Sequence, residues 1–211
     1  PTDISKLAKI KLDFEPNTQF QYSNLGYCLL GMIIEKKMGE NFREVADKRY
    51  QLAAKNIKFV NNDFLEDEIQ YDYRFENFYA DFYKDRFDFK ESLSAVGGLS
   101  GSAKGMVLVM RDMLDEKPLN ILSRSNLPCA IYLIDGCYGY ALLPYQERGS
   151  NFTIYGKEGY FPGVETDVFV DDQGSILALF RGSTAPKYSS MVELRKRLYH
   201  DLKNHYKIDN K

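Results

Sequence analysis

The last third of the chain restricts the fold most. Tyr138-Gly139-Tyr140-Ala141-Leu142-Leu143, Phe152-Thr153-Ile154-Tyr155, Thr166-Asp167-Val168-Phe169-Val170 and Ile176-Leu177-Ala178-Leu179-Phe180 are short runs rich in aromatic and apolar residues, many of them β-branched, and read as strands. Asp171-Asp172-Gln173-Gly174 has the composition of a tight hairpin turn, so the last two strands run antiparallel. From about Ser189 to His205, Met191, Leu194, Leu198 and Leu202 recur at helical spacing, a stripe suited to lying on a sheet. The expected class is α+β, with helices packed on one antiparallel sheet.

With 211 residues and 44 % apolar composition the chain can bury one sizeable core. A single domain over residues 1–211 is expected, with a helical lobe over about 1–135 and the sheet and terminal helix over about 136–208. The net charge is −2 with both signs interspersed, which excludes a phosphate-tracking surface, so no nucleic acid is expected as a partner. The longest apolar run, Tyr27 to Ile34, is interrupted by Gly31 and is too short for a transmembrane segment. Cys28, Cys129 and Cys137 lack metal-ligand spacing, and Glu66-Asp67-Glu68 lacks the alternation of a calcium loop. His200 and His205 are not an i,i+4 pair and lie on the terminal amphipathic helix, which disfavours both a metal pair and a Ser-His-Asp triad. There is no glycine-rich phosphate cradle, so neither metal nor cofactor is expected.

Nearer the start, Pro16-Asn17 favours a turn, Phe20 to Tyr22 is extended in character, and Ser23 or Asn24 can cap the helix that follows. Either Asn24 is only a cap and Tyr22 only packs, or a phenol and an amide enter one cleft, to move a proton and to hold a substrate amide. Leu25, Cys28, Leu29, Met32, Ile33 and Ile34 form a wide stripe ending at Gly39, which predicts a deeply packed helix. A second helix is expected from Phe42 to about Ala54, with Phe42, Val45 and Ala46 inward. Residues 60–92 mix acidic residues with aromatics such as Phe64, Tyr71, Phe78 and Phe89 without a period. They form either a pocket wall or an irregular subdomain with its own small core. Ser102 can cap a further helix after the small-residue run Ser94 to Gly101.

The segment Phe14-Glu15-Pro16-Asn17-Thr18-Gln19-Phe20-Gln21-Tyr22-Ser23-Asn24-Leu25-Gly26-Tyr27 resembles the Tyr-x-Asn region of the serine β-lactamase family. That family includes class C β-lactamases, D-alanyl-D-alanine carboxypeptidases and related esterases. Ala95-Val96-Gly97-Gly98-Leu99-Ser100-Gly101-Ser102-Ala103 resembles another of its segments, with Gly105 where an aspartate is usual, which is expected to weaken that helix start. Tyr155-Gly156-Lys157-Glu158-Gly159-Tyr160-Phe161-Pro162-Gly163 resembles the family's Lys-x-Gly strand and the turn after it. The resemblance implies a β-lactamase/transpeptidase-like fold, a proton-transferring Tyr22, a substrate-binding Asn24 and a cleft-facing Lys157. It also implies that Gly159 leaves the strand open to substrate, and that the Tyr160 backbone N–H is an oxyanion donor.

The family's Ser-x-x-Lys motif has no counterpart, for Thr184-Ala185-Pro186-Lys187 has the spacing but follows the last strand, and only 21 residues precede Tyr22. A segment ahead of Pro1 is therefore expected, and the chain reads as the carboxy-terminal portion of a domain incomplete at its N-terminus. The resemblance implies a periplasmic or extracellular serine hydrolase acting on β-lactam, D-amino-acid peptide or ester substrates, inactive as this chain alone. The alternative is a catalytically inactive relative that binds peptides, cell wall or a protein. Besides a small-molecule or peptide substrate, the expected partners are the missing segment or a second copy across an open sheet edge. Glu158, where the family most often has threonine or serine, is expected to reach the cleft rim, pair with Lys157 and disfavour carboxylate-bearing substrates; the alternative is that strand alternation turns it to the opposite face, where it matters little.

Overall fold

The computed structural model describes residues 11–59, 67–69, 94–117, 120–123, 138–161, 164–182 and 188–208. The aromatic-rich stretch of 60–92 lies, except for residues 67–69, outside the described residues, as do Cys129, Cys137 and 183–187. Helix α1 (Asn24–Met38) opens at Ser23, whose hydroxyl accepts from the Gly26 N–H and satisfies one of the donors every helix start leaves orphaned. Gly39, left-handed at φ 70°, closes it by donating to the Glu35 carbonyl. Glu35 also accepts from the Phe42 N–H at 2.9 Å, which ties α1 to helix α2 (Phe42–Tyr50). Gln51 is left-handed at φ 50° and stops α2 short of the expected Ala54.

A 3₁₀ turn at Ala53–Lys55 leads into strand β1 (Ile57–Phe59), which pairs antiparallel with β2 (Leu99–Gly101). Helix α3 (Ala103–Asp115) starts at Ser102, whose hydroxyl accepts from the Gly105 N–H. A Cβ at Gly105 would stand 2.1 Å from the Lys55 carbonyl oxygen. Glycine is therefore what lets α3 begin against the 3₁₀ turn, and the expected weakness of this helix start is offset by that close approach. Leu52, Ile57 and Val109 form the small core that joins these elements.

The main sheet has the order β3-β4-β5-β6, antiparallel throughout: β3 (Leu143–Tyr145), β4 (Ile154–Phe161), β5 (Val164–Asp171) and β6 (Ile176–Arg181). The first strand differs from the sequence expectation: it begins only at Leu143, because Gly139 donates back to the Leu142 carbonyl in a tight turn. The second runs on through the Lys-x-Gly stretch, which is a strand as the resemblance implies, because β5 pairs with it from Ile154 to Phe161.

Alternation gives the sheet two working faces. Tyr155, Val168, Val170, Ile176, Ala178 and Phe180 pack with Met110 of α3, Ile121 and Leu142. Ile154 and Phe169 point the other way, onto Phe152 and helix α4 (Tyr188–His205), whose Tyr199 is fully buried and donates to the Phe152 carbonyl. The result is an α+β layout with helices on both faces. Among the described residues no helix is long and apolar enough to cross a membrane.

Helix α1 departs from the expected deep packing. Gly31, against Ala95 and Phe42, is its only buried residue, while Leu29, Leu30 at 55 %, Ile33 at 60 % and Met38 are exposed. The stripe is wider than the one edge that α2 covers.

Candidate active site

Two distant segments meet at the open end of β4. Lys157 follows Tyr155 on the α3 face of the sheet, and its Nζ lies 3.3 Å from the Tyr22 phenol oxygen and 3.2 Å from that of Tyr138. The ammonium also stands 4.4 Å from the Tyr22 ring centre, 5.1 Å from that of Tyr138 and 6.0 Å from that of Tyr27. Three negative ring faces around one cation contribute about 0.5–2 kcal/mol each, more where water is excluded. Phe20 stacks on Tyr138 at 5.6 Å and so backs the cluster.

These contacts decide the charge of Lys157. Burial works to lower its pKa, but the phenols of Tyr138 and Tyr22, by charge and by hydrogen bond, outweigh it and leave the lysine above its ordinary value. The side chain is therefore an ammonium throughout the neutral range. Burial raises the Tyr27 phenol, and the nearby Lys157 only partly offsets this, so Tyr27 stays protonated and contributes its ring.

The backbone phase of β4 follows from one contact. Asp172 donates to the Thr153 carbonyl at 3.2 Å, so in an antiparallel ladder the odd residues from 153 to 161 bond to β5 and the even ones bond away from it. Strand β3 reaches only as far as Gly156. Among the described residues, the N–H groups of Glu158 and Tyr160 therefore point to an edge that no strand occupies. Gly159 lies on the Lys157 face, where a Cβ would stand 2.5 Å from the Thr166 hydroxyl oxygen. Asn24 is exposed at the first position of α1, two residues beyond Tyr22.

The structure thus brings Tyr22 and Lys157 together and puts the Tyr160 N–H on the free edge of the same strand. It does not bring Glu158 to them. Glu158 projects from the opposite face and forms an ion pair with Arg195 of α4, so the expected pairing with Lys157 is corrected by strand alternation. Two residues enter the site without a sequence motif. Tyr138 heads a run whose composition reads as strand, yet an aromatic beside a glycine at a strand mouth is a usable signal of a site wall. Arg195 falls within the apolar stripe of Leu194, Leu198 and Leu202, and a cation there announces a buried partner. No group of three or more His, Cys, Asp or Glu among the described residues could hold a metal.

Residues 4–181 match the β-lactamase family model. The putative fimbrial assembly protein FimD of serogroup D from Dichelobacter nodosus is 54 % identical over 206 residues, which is 98 % of this chain and 52 % of that protein. The probable fimbrial assembly protein FimD of serogroup H1 from the same organism is 52 % identical over the same shares. The chain therefore spans about half the length of the curated relatives it matches. Among solved structures, SurE with D-Leu superposes with a TM-score of 0.66 at 22 % identity, over 93 % of this chain and 47 % of that one. A penicillin-binding protein from Bacillus halodurans gives 0.62 at 21 %, over 88 % and 59 %. The D-amino acid amidase from Ochrobactrum anthropi complexed with D-phenylalanine gives 0.61 at 20 %, over 88 % and 60 %. At these identities the structures establish a shared fold.

Proposed function

The chain belongs to the β-lactamase family, and on that premise we propose that it is part of a serine hydrolase working through an acyl-enzyme on β-lactam, D-amino-acid peptide or ester substrates. In this proposal the nucleophilic serine comes from polypeptide outside these residues, in keeping with the half-length match to the curated relatives. The observation that carries it is the 3.3 Å contact between Lys157 Nζ and the Tyr22 phenol oxygen. An ammonium held there stabilises negative charge on that oxygen while a proton passes through it. Tyr22 would relay the proton: its phenol oxygen would receive the serine proton as the serine oxygen attacks the substrate carbonyl, while its own phenolic proton passes to the leaving group, so that the tyrosine ends as it began when the acyl-enzyme forms. The Tyr160 N–H would meet the developing oxyanion, a contact worth about 3 kcal/mol where one such donor has been removed from a hydrolase. Asn24 would hold a substrate amide, while water later releases the acyl group.

The test is labelling of the full-length protein with a fluorophosphonate, followed by peptide mapping and by assays with a chromogenic β-lactam and a p-nitrophenyl ester. Labelling of one serine outside these 211 residues, with turnover lost in Tyr22→Phe, is the expected result. Turnover by the isolated chain would overturn it.

A second reading is favoured by the fimbrial assembly names of both relatives. In it the cleft and the free edge of β4 hold a peptide or protein partner without hydrolysis. Absence of both label and turnover in the full-length protein, with retained peptide binding, would select this reading.

A further inference from the structure

Tyr138 has no part in the reaction as set out so far, yet its phenol oxygen is as close to Lys157 Nζ as that of Tyr22, 3.2 Å against 3.3 Å. Its ring stacks on Phe20 at 5.6 Å and lies 5.7 Å from the Tyr22 ring, so it is clamped against the segment that leads into α1. An ammonium carries three donors, and the two phenol oxygens occupy two of them. A lysine on its flexible four-carbon stem, held by one phenol alone, would swing about that contact. A second acceptor removes the swing and fixes where the third N–H points.

We propose that Tyr138 is a positioning residue of this site: it holds the Lys157 ammonium in register with Tyr22 and aims the remaining N–H at a single acceptor oxygen of the ligand. It rests on the hydrolase assignment for calling that ligand a substrate, while the grip on Lys157 stands without it. Tyr138→Phe is the discriminating variant, because it keeps the ring over the ammonium and the stack on Phe20 and removes only the hydroxyl.

In the full-length protein with ¹³C- and ¹⁵N-labelled lysine, assigned by Lys157→Met, the titration of Lys157 is followed by NMR. Since both phenols raise its proton affinity against burial, Tyr138→Phe and Tyr22→Phe each lower the titration point, and the double variant lowers it further. A Lys157 that titrates alike with and without the Tyr138 hydroxyl overturns the proposal. Where the full-length protein turns over a substrate, Tyr138→Phe lowers kcat about tenfold to a hundredfold with a smaller change in KM, as misaimed groups do, and brings the alkaline loss of activity to lower pH. A protein without turnover sinks the hydrolase assignment and leaves the lysine titration to decide the role of Tyr138.

Discussion

Glu158 turns its carboxylate away from Lys157 and onto the guanidinium of Arg195, whose side chain is only 5 % exposed. Burial pushes the Arg195 guanidinium down from its ordinary value, the mark of a charge that has left water. Glu158→Thr leaves that cation unpaired and is expected to cost about 3 kcal/mol in denaturant unfolding. It leaves the ratio of kcat/KM for a penicillin and a neutral ester unchanged, because the residue lies beneath the sheet. Glu158→Leu combined with Arg195→Leu should recover most of the loss. A stable single variant with a shifted substrate ratio would return Glu158 to the cleft.

Asp167 provides a pH test. Burial is the largest influence and raises its carboxyl above the ordinary aspartate value; the hydrogen bond and charge of Arg181 pull it down, Glu165 adds to the rise, and the net effect is upward. A group raised in the folded state contributes stability that is whole below its unfolded value and is lost as pH climbs through the folded one. Asp167→Asn escapes that loss, and Arg181 keeps Glu165 at 2.9 Å. The melting temperature of the variant minus that of wild type should rise from the ordinary aspartate value towards neutral pH. A flat or falling difference would contradict this.

Gly105→Ala sets helix propensity against close packing. Alanine is the better helix former by about 1 kcal/mol, but its methyl would meet the Lys55 carbonyl. The expected outcome is a net destabilisation of about 2 kcal/mol from overpacking, read from denaturant melts. A stabilised variant would mean that the 3₁₀ turn yields freely.

The uncovered face of α1 predicts the behaviour of the isolated 211-residue chain. Leu29, Leu30, Ile33 and Met38 offer an apolar surface, and among the described residues β4 beyond Gly156 offers an unpaired edge. Sedimentation should show self-association, and Leu30→Glu with Ile33→Glu should shift the chain towards monomer. In the full-length protein the same pair is expected to destabilise by about 2 kcal/mol or more, since each buries a charge if the remaining polypeptide lies there. A wild-type chain that is monomeric and melts cooperatively would refute both halves.

Local features were legible before the structure. Ser23, Ser102 and Gly39 mark helix ends because capping is decided within a few residues. The hairpin at Asp171 was readable for the same reason: its side chain accepts from the Gln173 and Ser175 N–H groups, and Gly174 supplies the positive φ. The approach of Tyr22 to Lys157 spans 135 residues and followed only from family resemblance, since no spacing rule reaches that far. Tyr138 and Arg195 were missed because their roles arise from contacts across the sheet. The α1 stripe is apolar in the sequence, but periodicity reports what a helix can bury and says nothing about whether a neighbour covers it.

Along β4, then, successive residues serve different masters: Lys157 faces the phenols, while Ile154 and Glu158 hold α4. Inheritance can act on the two sets separately. On the proposed reading, a descendant without hydrolysis can exchange Tyr22 or Lys157 and keep every contact of Ile154, Phe169 and Tyr199. It would lose only its proton traffic, and would keep the strand edge that is open among the described residues as a ready-made holder for an extended chain.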